Sequence, residues 1–302
     1  MPTGADPARY RFSFGPWNIS TGADPFGPAV REEVEYARKI RAYKELGFDA
    51  VQFHDDDVVP ADWDWTATQR GVANVQKMLD GEGLFVEILA PRLWEDPRTI
   101  DGAFTSNSPA DRQYAIDRSK RAVDIAKLLG CKNYVLWLAR EGSYIREAKD
   151  AKTAVGRIVD AWNAILEHDK DIRILGEAKP NEPTDQAYLP TVGHMIGVCY
   201  KSVDPSRSGV LIESAHSILA GLDPSYIEQR IAAFRAAPTP PSDELLYWLF
   251  NHAESKKIAA GSSPEALANM VGIAHALTQQ DIHEAAAWYS AQKPKPPAGH
   301  SA

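Results

Sequence analysis

From residue 10 to about 213, short apolar runs alternate with longer stretches whose apolar positions recur every three or four residues. The short runs are YRFSFG, FDAVQF, LFVEIL, NYVLWL, IRILGE and GVLIES, each of strand length and composition. Between them, residues 29–46, 66–82, 109–129, 148–169 and 191–202 carry helical spacing. The third of these helices has a start and a stop in its sequence: Ser108 precedes Pro109 in the first turn, and Gly130 follows the last. Strict alternation of strand and helix predicts parallel pairing through right-handed crossovers.

Six such units fit either an open doubly wound sheet or part of a barrel. No Gly-rich phosphate loop follows YRFSFG, and charged residues gather at the C-terminal ends of the strands, where a (β/α)8 barrel builds its site. The expected fold is therefore α/β: a TIM (β/α)8-type barrel, incomplete at about six units, over residues 1–222. After Glu213 the rhythm stops. Residues 223–292 read as a helical block with the Pro-rich APTPPSD at 237–243 as a linker, and 293–302 as a disordered tail.

Composition narrows the picture further. Hydrophobic residues make up 44% of the 302, enough for a sizeable core. The formal net charge is −8, with both signs interspersed, which argues against nucleic acid and against a membrane surface as partners. No run of 18 apolar residues occurs and MPTGADPARY is not a basic-apolar leader, so a cytoplasmic protein is expected. The two cysteines, Cys131 and Cys199, lack CxxC spacing and are expected as buried free thiols.

Candidate chemistry sits at the strand ends. His54 closes the second strand with Asp57 three residues on, the spacing at which a carboxylate holds an imidazole in one tautomer for acid–base work; an Asp-rich capping turn is the plainer alternative. After the fifth strand, Glu177 and Lys179 are two apart and face one side, with Asn181 continuing the row if the chain stays extended. They read as a metal ligand beside an electrophilic lysine, or as a simple ion pair. Glu213 and His216 end the sixth strand and offer the mixed oxygen and nitrogen donors that suit a divalent metal, or else form a satisfied polar turn. Trp17 and Trp137 would wall the same mouth, or belong to the core. Three such clusters on strand ends are most simply explained by one shared pocket.

FHDDD, DGAFTSN at 101–107, REG at 140–142, EAKPNEP, PTVGH at 190–194 and ESAHSILAGL at 213–222 together resemble the xylose isomerase family, in particular its actinomycete-type branch, over residues 10–224. The resemblance implies a metal-dependent aldose–ketose isomerase, D-xylose to D-xylulose, using Mg, Mn or Co. It implies that His54 with Asp57 assists sugar-ring opening, and that Lys179 hydrogen-bonds the carbonyl oxygen. By the same likeness Glu177 holds a structural metal, Glu213 bridges two metals and His216 binds the catalytic one, while Trp17, Trp137 and Asn181 contact the sugar. A small sugar and a homo-oligomer are the partners it implies.

Departures leave a second reading open. The family's two further strands, the aspartates that complete its metal sites and its C-terminal oligomerisation arm have no counterpart after residue 224. Each implied metal keeps about two protein ligands of the six or so a hard dication takes, so weak metal binding is expected, with Asp243, Glu244 and Asp281 as substitute donors. The wall segment PRLWEDPRT at 91–99 also departs from the family pattern. The alternative is a catalytically silent sugar- or metal-binding remnant. Residues 219–294 resemble the C-terminal half of class I cytochromes c, with Met270 in the place of the axial ligand. No CxxCH occurs, so no haem is expected, and Met270 and His275 read as core or surface residues.

Overall fold

The computed structural model describes residues 11–19, 21–22 and 28–222. The expected helical block and tail, with Asp243, Glu244, Met270, His275 and Asp281, lie outside the described residues. Six strands form one parallel sheet in chain order: β1 (Ser13–Phe14), β2 (Ala50–His54), β3 (Phe85–Ala90), β4 (Asn133–Trp137), β6 (Arg173–Glu177) and β8 (Ser208–Leu211). All six were legible as apolar runs, and with their crossover helices they make the expected TIM barrel-like α/β fold. A separate antiparallel pair, β5 (Gly142–Ser143) with β7 (Gln186–Ala187), ties the loop after β4 to the loop after β6.

The crossover helices are α1 (Tyr36–Glu45), α3 (Trp65–Glu82), α4 (Pro109–Leu128), α5 (Ala151–His168) and α6 (Val192–Lys201); α2 (Asp55–Val58) and α7 (Ser214–Leu219) are short turns after β2 and β8. In α4, Ser108 Oγ accepts from the Asp111 amide at 3.3 Å, and Gly130 ends the run at φ +66°, a conformation that a side chain would disfavour. The first helix starts seven residues later than its spacing suggests. Glu35 caps it by accepting from the Ala37 and Arg38 amides, while the Val30 and Arg31 amides are bonded back to the Thr21 carbonyl and so lie outside it.

Successive strand residues face opposite ways. Outward-facing Val51, Phe53, Leu89, Tyr134, Leu136 and Ile174 pack with Val72, Leu79, Ala122, Ile158 and Trp162 of the helices in one buried cluster. A smaller cluster of Ile88, Ala90 and Val135, with Leu175 and Leu211 against it, fills the inner face. Gly176 is glycine because a Cβ there would stand 2.2 Å from Met195 Sδ and 3.0 Å from Trp162. Cys131 and Cys199 are buried thiols, and neither forms a disulfide. Among the described residues no helix is long and apolar enough to cross a membrane.

Candidate active site

Strand register brings the C-terminal ends to one level. His54 of β2 stands opposite Ala90 of β3, Trp137 of β4 opposite Glu177 of β6, and Glu177 opposite Leu211 of β8. These ends open onto a cavity of about 530 Å³, a size suited to a small metabolite. Its polar lining includes His54, Lys179, Glu177, Glu213 and His216, together with Trp17 and Trp137. The floor is apolar: Ile88, Ala90, Val135 and Leu211.

His54 is held from three sides. Its Nδ1 lies 3.0 Å from Asp57 Oδ2, its ring packs at 4.5 Å from Trp17, and Trp94 meets it edge-on at 5.0 Å. The backbone explains the spacing: β2 ends at His54, and the one-turn α2 that follows swings Asp57 back so that Oδ2 also accepts from the His54 amide at 2.9 Å. Burial would raise the Asp57 carboxyl, but the hydrogen bonds from His54 and the nearby Arg92 cation hold it below the usual carboxylate range.

On the opposite wall, burial first and the Glu213 charge second push Glu177 up to about 7. Burial, followed by the Lys179 ammonium, lowers His216, which keeps its imidazole neutral at neutral pH. His216 Nδ1 lies 3.3 Å from Glu177 Oε1, yet it is buried and makes no hydrogen bond. The Lys179 side chain, only 12% exposed, places Nζ 5.4 Å from the Trp137 ring centre and 2.9 Å from Glu182 Oε2.

Of the residues expected at the site, Asn181 is exposed and does not line the cavity. The alternation that joins Glu177 to Lys179 stops because β6 ends at Glu177 and the chain then turns, reaching a positive φ at Glu182. Arg92, Trp94, Gln52 and Asn18 line the cavity without having been singled out. Only the unusual composition of residues 91–99 signalled the first two in the sequence.

The donor types on this wall are ones that a divalent cation takes. Glu177, whose ionisation the neighbouring Glu213 charge opposes, and one buried imidazole nitrogen without a hydrogen bond are donors that a divalent ion would satisfy. The ligand shell is not closed: among the described residues no three His, Cys, Asp or Glu side chains gather as a metal-binding group. A pH dependence follows for the metal-stripped chain. The raised Glu177 pKa means the folded form keeps its proton longer than the unfolded one, so stability is full below about 4.5 and falls as pH rises toward about 7. We expect a loss of about 2 kcal/mol across that window, allowing for the partly exposed edge of the carboxyl. Chemical unfolding at pH 4.5 and 7.5, with Glu177→Gln as the flat control, reads it directly.

Residues 40–243 match the family model described as xylose isomerase-like TIM barrel. A xylose isomerase of Thermus thermophilus is 35% identical over 219 residues, which are 71% of this chain and 57% of that protein. The chain therefore spans little more than half the length of that relative. Among solved structures, the probable 3-DHS dehydratase of Bacillus anthracis superposes with TM-score 0.51 at 13% identity, over 74% of this chain and 70% of that one. The family 2 AP endonuclease of Brucella melitensis gives TM-score 0.50 at 17% identity, over 69% and 70%. At such identities the likeness speaks for the fold alone. With a family model covering more than half of its length, and with the polar lining of its parallel sheet gathered at the C-terminal strand ends, the chain belongs to the xylose isomerase-like TIM barrel family.

Proposed function

We propose that the chain interconverts an aldose and its ketose, D-xylose and D-xylulose being the first pair to test, with Mg, Mn or Co as cofactor. One observation carries this reading: a single cavity gathers an imidazole paired with a carboxylate, a nearly buried ammonium, and two carboxylates beside an imidazole whose Nδ1 makes no hydrogen bond. The name of the Thermus relative supports the reaction. The quoted motifs support placement in the actinomycete-type branch.

Glu177, Glu213 and His216 offer the donor atoms for the cation, although they do not gather as a three-ligand group among the described residues. When bound, a divalent ion polarises the sugar carbonyl as a Lewis acid. The rest of the work belongs to the chain. His54, steadied by Asp57, assists opening of the sugar ring. Lys179 exchanges its Glu182 contact for a hydrogen bond to the carbonyl oxygen, where negative charge develops. Trp17, Trp94 and Trp137 keep the face of the sugar dry.

The test is ketose formation from xylose by the metal-stripped chain before and after Mn is added. Lys179→Met is expected to lower kcat about a hundredfold, the scale for one lost donor to a developing oxyanion. Wild-type and variant turning over alike would remove Lys179 from the mechanism. A second reading rests on the open ligand shell: a silent binding protein, which titrates with xylose or Mn in calorimetry and yields no ketose.

A further inference from the structure

Between β2 and β3 the ladder slips by one residue: Val51 stands opposite Val86 and Gln52 opposite Ile88, so Glu87 has no partner across the pair. Such a bulge re-aims the side chain it frees, and bulges gather beside active sites. A side chain satisfies the freed backbone, Asn133 Nδ2 donating to the Glu87 carbonyl at 3.1 Å. The Glu87 carboxylate meets Ser13 of β1 and Gln52 of β2: Oε2 accepts from Ser13 Oγ and, at 3.1 Å, from Gln52 Nε2, which also donates to Ser13 Oγ at 2.7 Å.

The carboxylate fixes the direction of these bonds. It has lone pairs and no hydrogen to give, so Ser13 donates to it and is left to accept from Gln52. Only the nitrogen end of the Gln52 amide can stand 3.1 Å from a carboxylate oxygen, because the carbonyl end would bring two acceptors together. Both bonds of the amide therefore leave through Nε2, and among the described residues nothing donates to Oε1. Gln52 lines the cavity two residues, about 7 Å, below the level of His54 and Ala90, and the floor beside it, Ile88, Val135 and Leu211, is apolar.

We propose that Gln52 is a specificity-determining residue: its Oε1, set in an otherwise apolar floor, accepts a hydrogen bond from the hydroxyl at the end of the sugar remote from the carbonyl. This rests on the isomerase reading, which sets the carbonyl against Lys179 beyond β6, with β3 and β4 standing between that wall and β2. The far end of the sugar then falls toward Gln52. The substrate class is accordingly aldoses whose terminal carbon carries a free hydroxyl. A methyl there leaves the acceptor unpaired once the sugar has displaced water, and a phosphate brings negative charge toward Oε1 and the Glu87 carboxylate behind it.

The test is the preference for D-xylose over 5-deoxy-D-xylose, taken as the ratio of their kcat/KM values with Mn, in the full chain and in Gln52→Met, which keeps the length and loses the acceptor. We expect the preference to fall about tenfold in the variant, the scale for one hydrogen bond in a dry site, with the loss in KM because the contact is remote from the reacting carbons. The deoxy sugar cannot close a six-membered ring, a difference that meets both proteins alike and cancels between them. Equal slowing of both sugars would mean a merely structural role and overturns the proposal. Gln52→Leu decides in the same way if methionine is not tolerated. A wild type that isomerises neither sugar refutes the isomerase reading, and the contact is then read from calorimetric titration of the two sugars into wild type and variant. There, an affinity loss about tenfold larger for xylose supports the contact, while an equal loss, or no xylose binding, overturns it.

Discussion

Glu213→Gln is expected to cut ketose formation from xylose about a thousandfold without lowering the melting temperature. Glu213 precedes α7 as its cap, accepting from the Ala215 amide at 3.0 Å, and its carboxylate lines the cavity. Glutamine keeps the length and an acceptor oxygen for that cap, so the substitution removes charge and little else. The charge is what the site uses: it raises Glu177 and, with it, makes the wall attractive to a dication. Lewis-acid assistance is worth several kcal/mol, and each 1.4 or so is a factor of ten in rate, which gives about three decades. Steady-state kinetics with Mn and calorimetric Mn titration of both proteins would check it. Unchanged turnover in the variant would sink the assignment of Glu213 to the metal wall.

The largest effect on stability should come from Arg118→Met, a loss of about 3–5 kcal/mol in unfolding free energy. Asp55 is wholly buried at the start of α2, and Arg118 of α4, 8% exposed along its side chain, grips it through Nε at 2.9 Å and Nη2 at 3.0 Å. Arg118 Nη2 also reaches Asp56 Oδ2 at 3.0 Å. Removing the cation strands a carboxylate with no water to receive it, and that stranded charge is the cost, more than the bond itself. Pairing the change with Asp55→Leu should therefore recover much of the loss, which urea unfolding of the two single variants and the double variant would measure. If Arg118→Met alone were neutral, Asp55 would have to be stabilised by some other group.

The fold was readable because its strands are short and β-rich and its helices keep their period, both being local consequences of which face is buried. β5 and β7 escaped notice because two-residue strands have no periodicity to detect. The late start of α1 turned on a single side-chain cap at Glu35, which spacing does not register. For the site, strand-end position predicted one shared pocket, and register places His54, Glu177, Lys179, Glu213 and His216 around one cavity with Asp57 against His54. Asn181, expected to continue the row, lies beyond the end of β6 and off the cavity lining, and strand-end position gave no sign of Arg92 and Trp94. Those two lie in a loop, whose side-chain directions depend on tertiary contacts and not on period.

One of those contacts has a bearing on how such a protein changes over time. The buried Asp55 also accepts from the main-chain amide of Arg92 at 2.9 Å, so the course of the wall loop is anchored through its backbone to a charge clamped by α4. Any residue but proline offers that amide. The wall can accordingly trade its side chains one at a time while keeping its path, a division between anchored backbone and exchangeable surface that lets a single barrel drift from one small substrate to another without first passing through an unfolded ancestor.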